Sequence, residues 1–111
     1  MKIIKYNKLI RDKIPAIIKR DRGIPKISRL NNKRFIKELK KKLIEEAIEL
    51  QKVKGNKDIL NELADALEIL QSIARVEKIK WPEVENKRAM KNKERGGFKK
   101  KIFLKEVRMP D

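Results

Sequence analysis

Two amphipathic patterns of helical period, separated by only a few residues around Gly55, constrain this chain more than any other feature. In the first, from about Asn32 to Val53, Phe35, Ile36, Leu39, Leu43, Ala47, Leu50 and Val53 recur every three or four residues. The second, from about Asp58 to Ile79, presents Ile59, Leu63, Ala66, Leu67, Leu70, Ile73 and Ala74 on one face. A connection as short as Gly55-Asn56 folds the two helices into an antiparallel hairpin. A hairpin alone leaves its outer apolar edges wet. The pattern therefore predicts an all-α fold in which two hairpins meet in a four-helix-bundle-type core of a homodimer.

The remaining elements are shorter. Asp12 is placed to cap a short helix with Pro15 in its first turn, and residues 21–31, with Gly23 and Pro25, read as an irregular connection. Pro82 suits the first turn of a further helix, running roughly to Glu94 and ended by Gly96-Gly97. The tail from Lys101 onward suggests extended chain. With 111 residues, no repeat and no low-complexity linker, a single domain over 1–111 is expected.

Chemistry enters with four acids on the hairpin. Glu46 and Glu49 on the first long helix, and Glu62 and Asp65 on the second, are each spaced i, i+3, which puts each pair on one side of its helix. Glu49 and Glu62 lie at similar distances from the turn, as do Glu46 and Asp65, so the pairs sit at matching heights in an antiparallel hairpin. At about 100° per residue, Glu46 and Glu62 fall inside the apolar arcs, with Glu49 and Asp65 at their margins. Carboxylates gathered at an apolar seam repel one another and lose hydration, so something positive belongs among them. Neither Glu62 nor Asp65 has a Lys or Arg within four positions. Cys and His are absent, so the all-oxygen set points to Mg²⁺, with Mn²⁺ as a substitute. Glu45 points further round its helix, within reach of Lys41 and Lys42, and is expected to support the ligands. Glu68 continues the second series on its outer side.

The charge distribution agrees. Residues 1–44 carry 16 basic and 3 acidic side chains, residues 45–74 carry 3 and 7, and residues 75–111 carry 13 and 6. An acidic centre between basic flanks, in a chain of net charge +16, suggests a cation site beside an anion site. The absence of Cys and His also excludes disulfides, thiolate or imidazole zinc sites and imidazole-dependent triads. No apolar run approaches the roughly 20 residues of a bilayer span, and a cytoplasmic, non-membrane protein is expected. Mg²⁺ on helix carboxylates commonly takes phosphate oxygens as its remaining ligands. Phosphoryl or nucleotidyl hydrolysis by a metal-activated water is the implied chemistry, with a carboxylate as general base.

Glu46-x-x-Glu49 followed by Glu62-x-x-Asp65 resembles the ExxE…ExxD signature of the all-α nucleoside triphosphate pyrophosphatases, the MazG-like superfamily. Tyr6-Asn-Lys-Leu-Ile-Arg-Asp-Lys-Ile-Pro15 and Arg95-Gly-Gly-Phe98 are similar to its phosphoribosyl-ATP pyrophosphohydrolase-like branch, so the similarity spans nearly the whole chain. The resemblance implies Mg²⁺-dependent cleavage between the α and β phosphates of a nucleoside triphosphate, on a homodimer or dimer of dimers. Glu46, Glu49, Glu62 and Asp65 would be metal ligands, one of them or Glu45 orienting or deprotonating the attacking water. Asn7, Lys8, Arg11, Lys91 and Arg95 would meet the substrate's phosphates, and Tyr6, Trp81 and Phe98 are candidates for stacking on its base. Two features depart from the family pattern. The lysine runs Lys40–Lys42 and Lys99–Lys101 are unusually dense, and Asn61 stands where an acid is common. The lysines support an alternative expectation, a basic helical module that binds nucleic acid.

Overall fold

The computed structural model describes residues 2–111. It contains four helices and no strand among these residues: α1 (Ile14–Arg20), α2 (Asn32–Lys52), α3 (Asn56–Val76) and α4 (Trp81–Arg95). The fold is all-α. The chain divides into two compact units, the first ending at Ile79 and the second running from Lys80 to Asp111.

In the first unit, α2 and α3 pack on one another as the expected hairpin. Asn31 starts α2, its side-chain oxygen accepting from the Arg34 N–H at 2.9 Å, which satisfies one of the free amides of the first turn. Val53, in extended conformation, ends it before Gly55. The seam between the helices holds Phe35, Ile36, Leu39, Leu43, Leu50 and Val53 from α2 against Ile59, Ala66, Ile69 and Ile73 from α3, all half-buried or buried. Among the described residues, the buried apolar side chains are Leu39, Ile69 and Ala74, and none of the three is wholly sealed from solvent.

The single apolar face expected of α3 is in fact two faces. Ile59, Ala66 and Ile73 join Ile69 in the seam, whereas Leu63, Leu67 and Leu70 remain 52%, 46% and 42% exposed. These leucines lie about 100° further round the helix, and Leu60 joins them. Ala47, expected in the seam from α2, is exposed, as are Ile44 and Ile48. Apolar residues occupy so much of the circumference of α3 that spacing alone does not say which part meets α2.

Helix ends that lack glycine also differ from expectation. The second helix was expected to reach Ile79, yet it ends at Val76. Lys78 turns into the left-handed region at φ 60°, and the Ile79 and Lys78 amides donate to the Ala74 and Arg75 carbonyls at 2.8 and 3.1 Å. This is a Schellman ending with lysine where glycine is usual. α1 closes the same way: Arg22 takes φ 70° and the Gly23 amide donates to the Ile18 carbonyl at 2.8 Å. Here the glycine is required for room, because a Cβ on Gly23 would stand 2.5 Å from Ile18 Cγ2. At the other end of α1 the capping position belongs to Lys13 and not to Asp12, and no side chain caps it. Pro15 lies in the first turn, where a missing N–H costs nothing.

In the second unit, α4 carries Pro82 in its first turn, and Glu83 reaches back to accept from the Lys80 amide at 3.0 Å. Gly96, at φ 80°, ends it as the sequence suggested. Residues 101–111 form neither helix nor strand. No described helix is long and apolar enough to cross a membrane.

Candidate metal centre

The seam contains a polar interruption. Glu46 on α2 and Glu62 and Asp65 on α3, all half-buried, bring one carboxylate oxygen each to within 4.8 Å of one another. The hairpin register puts Glu46 level with Asp65, and Glu62, one turn nearer the start of α3, joins them in place of the Glu49–Glu62 match that the register suggested. Opposite ligands around Mg²⁺ stand about 4.2 Å apart, so the three oxygens already converge on nearly the volume such an ion needs.

The electrostatics of the group are strained. Oε2 of Glu62 is shielded from solvent and has no hydrogen-bond partner. With both glutamates ionised, neither has a proton to give the other. A proton shared with Glu46 relieves this, and together with desolvation and the negative charges of Glu46, Asp65 and Glu49 it pushes the Glu62 carboxyl from 4.5 up to about 7. A divalent cation would relieve the same strain without a proton. The hard, all-oxygen donor set and the orphaned Glu62 oxygen therefore fit Mg²⁺.

Glu49 stands apart from the three converging oxygens. Its side chain is 54% exposed and lies 3.9 Å from Lys52, although its charge still acts on Glu62. Glu45 is exposed and lines a shallow cleft with Lys8, Leu9, Glu38, Lys41 and Lys42, without closing an ion pair to either neighbouring lysine among the described residues. The Glu68 side chain and carbonyl both face the Ser72 hydroxyl, which donates to the carbonyl at 2.8 Å.

One of the three acids, Asp65, has a basic partner, Arg11. One guanidinium nitrogen lies 2.7 Å from Oδ1 of Asp65, joining two residues 54 positions apart. The resemblance named Arg11 only as a phosphate contact, and nothing local in the sequence marks its carboxylate partner. Nearby, Asn7 adopts φ 48°, a left-handed conformation that Asn tolerates well. The Lys8 ammonium lies 5.8 Å from the centre of the Tyr6 ring, within cation–π range. The N-terminal segment thus brings Lys8 to the Glu45 cleft and Arg11 to Asp65. Lys91 and Arg95 are exposed on α4 in the second unit. Of the three candidate stacking residues, Trp81 is half-buried and Tyr6 and Phe98 are exposed.

Comparison with family models, with curated proteins and with solved structures gives no match.

Proposed function

We propose that the chain is a Mg²⁺-dependent nucleoside triphosphate pyrophosphohydrolase of the MazG-like kind, releasing a nucleoside monophosphate and pyrophosphate. The observation that carries this reading is the convergence of Glu46, Glu62 and Asp65 at the hairpin seam around an oxygen with no partner. An apolar residue at position 62 would serve packing better, so an acid there is a cost to folding that a bound cation explains.

In this reading Glu46, Glu62 and Asp65 hold the cation, and Glu49, one turn along α2 from Glu46, supplies a further oxygen. Bound Mg²⁺ would neutralise triphosphate charge and polarise the phosphoryl group. The chain's own residues do the rest. Arg11 and Lys8 offer charge to phosphate oxygens, and the Asn7 side chain offers amide donors. Glu45 or one of the seam glutamates accepts the proton of the attacking water. That water's oxygen bonds to the α phosphorus as the bond from phosphorus to the bridging oxygen breaks, and pyrophosphate departs. Catalysis by positioning and charge suits a site without imidazole or thiol. The exposed stripe of Leu60, Leu63, Leu67, Leu70, Ile44 and Ala47 supports a homodimer with a four-helix core.

The test is incubation with a panel of ribo- and deoxynucleoside triphosphates and Mg²⁺, with the products resolved by chromatography. The expected products are monophosphate and pyrophosphate, lost on adding EDTA. Glu46→Gln and Asp65→Asn are expected to lower turnover by at least about 100-fold, the scale of losing a charge-stabilising group, while circular dichroism keeps its helical signal. Full turnover by either variant would sink the assignment. The net charge of +16 favours one competing reading, a nucleic-acid-binding module. No turnover on the panel, beside tight salt-sensitive binding to RNA or DNA, would select it.

A further inference from the structure

Asp65 serves two masters in this structure. One of its oxygens belongs to the group that converges with Glu46 and Glu62, and Oδ1 accepts from the Arg11 guanidinium at 2.7 Å. A divalent cation drawn into the group would sit beside that guanidinium, and the two positive charges would compete for the same carboxylate. Arg11 can give way. It is 57% exposed and precedes α1 in a stretch without regular secondary structure. A guanidinium also pairs with phosphate in the same two-pronged manner as with carboxylate.

We propose that Arg11 is an exchangeable counter-ion: it holds Asp65 in the ligand-free protein, yields it to the cation, and passes to a phosphate oxygen of the nucleotide. This rests on the metal-dependent reading above and adds to it an order of events. The free cation alone must displace Arg11 into water, whereas a cation arriving with a polyphosphate gives Arg11 a new partner. Cation and nucleotide therefore bind with positive cooperativity, and by linkage each tightens the other by the same factor. Arg11 is in this sense a positioning residue as well as a phosphate ligand.

The test measures Mn²⁺ binding by electron paramagnetic resonance and calorimetry, with and without an ATP analogue carrying a methylene bridge between the α and β phosphorus atoms. In the parent protein the analogue is expected to tighten Mn²⁺. Arg11→Gln is expected to bind Mn²⁺ alone about fivefold more tightly, the size of one partly exposed ion pair, and to lose most of the analogue's effect. Arg11→Lys, which keeps the charge, should restore part of that effect. Lys42→Ala removes the same unit of charge without a contact to Asp65, and is expected to change Mn²⁺ affinity by much less. An Arg11→Gln protein whose Mn²⁺ affinity matches that of Lys42→Ala, or falls below the parent's, would overturn the exchange and leave Arg11 as a strut. A parent that binds no Mn²⁺ with or without the analogue would instead remove the metal centre itself, and the exchange with it.

Discussion

At Glu62 the conflict between fold and function is sharpest. Its carboxyl is held near 7 by Glu46, by lost hydration and by the surrounding negative charge. A raised pKa means that the folded chain binds this proton more tightly than the unfolded chain does. The resulting stability is complete below about pH 4.5 and is lost as pH rises through about 7. Glu62→Gln fixes the neutral form. In EDTA, its melting temperature relative to the parent is therefore expected to rise between pH 5 and pH 8. Saturating Mg²⁺ should stabilise the parent and not the variant at pH 8. A difference that stays flat with pH would show that Glu62 titrates as an ordinary surface acid. Spacing made the position of this residue legible, because i, i+3 acids inside an apolar arc stand out in any helical projection. Its state was not legible, since that depends on which oxygens finally face one another.

Between elements, the boundary that a glycine marks was readable, whereas the cap expected of Asp12 and the ends made by backbone geometry alone were not. The start of α2 at Asn32 and the stop of α4 at Gly96 fall where the pattern placed them. The end of α3 does not, because a lysine performs the left-handed turn. That substitution carries a cost which the sequence hides: a residue with a Cβ at φ 60° is strained relative to glycine. Lys78→Gly is expected to raise stability by about 0.5 to 1 kcal/mol, seen as a higher urea midpoint with unchanged slope. A lower midpoint would mean that the Lys78 side chain makes a contact worth more than the strain. The split of the α3 apolar face was illegible for a related reason. Periodicity counts apolar positions, but it does not say which neighbour covers them.

For the whole chain, the small buried core is the governing fact. Three buried apolar residues among those described, Leu39, Ile69 and Ala74, are few for a protein of this length, while the leucines of the outer α3 face stay in water. Helical phase puts those leucines on the side of the hairpin opposite the Arg11–Asp65 contact, so association there would leave that contact accessible. Leu67→Lys is expected to convert a dimer to a monomer in light scattering and to remove the concentration dependence of the melting temperature. A parent that already runs as a monomer at all concentrations would dismiss the four-helix core. The sequence suggested the hairpin and the shortage of core. It did not foretell the Arg11–Asp65 pair, because the two residues meet only through tertiary structure.

That separation has a consequence in time. The hairpin is built from near neighbours and can close within microseconds to milliseconds of its release into solution, whereas Arg11 leads its partner by 54 positions. At roughly 5–20 residues per second, Asp65 is added about 3 to 11 seconds after Arg11. Ile3, Ile4 and Tyr6 stay exposed even in the finished fold. Lys2, Lys5 and Lys8 are interleaved among them, and like charges at that density keep emerging chains from adhering to one another.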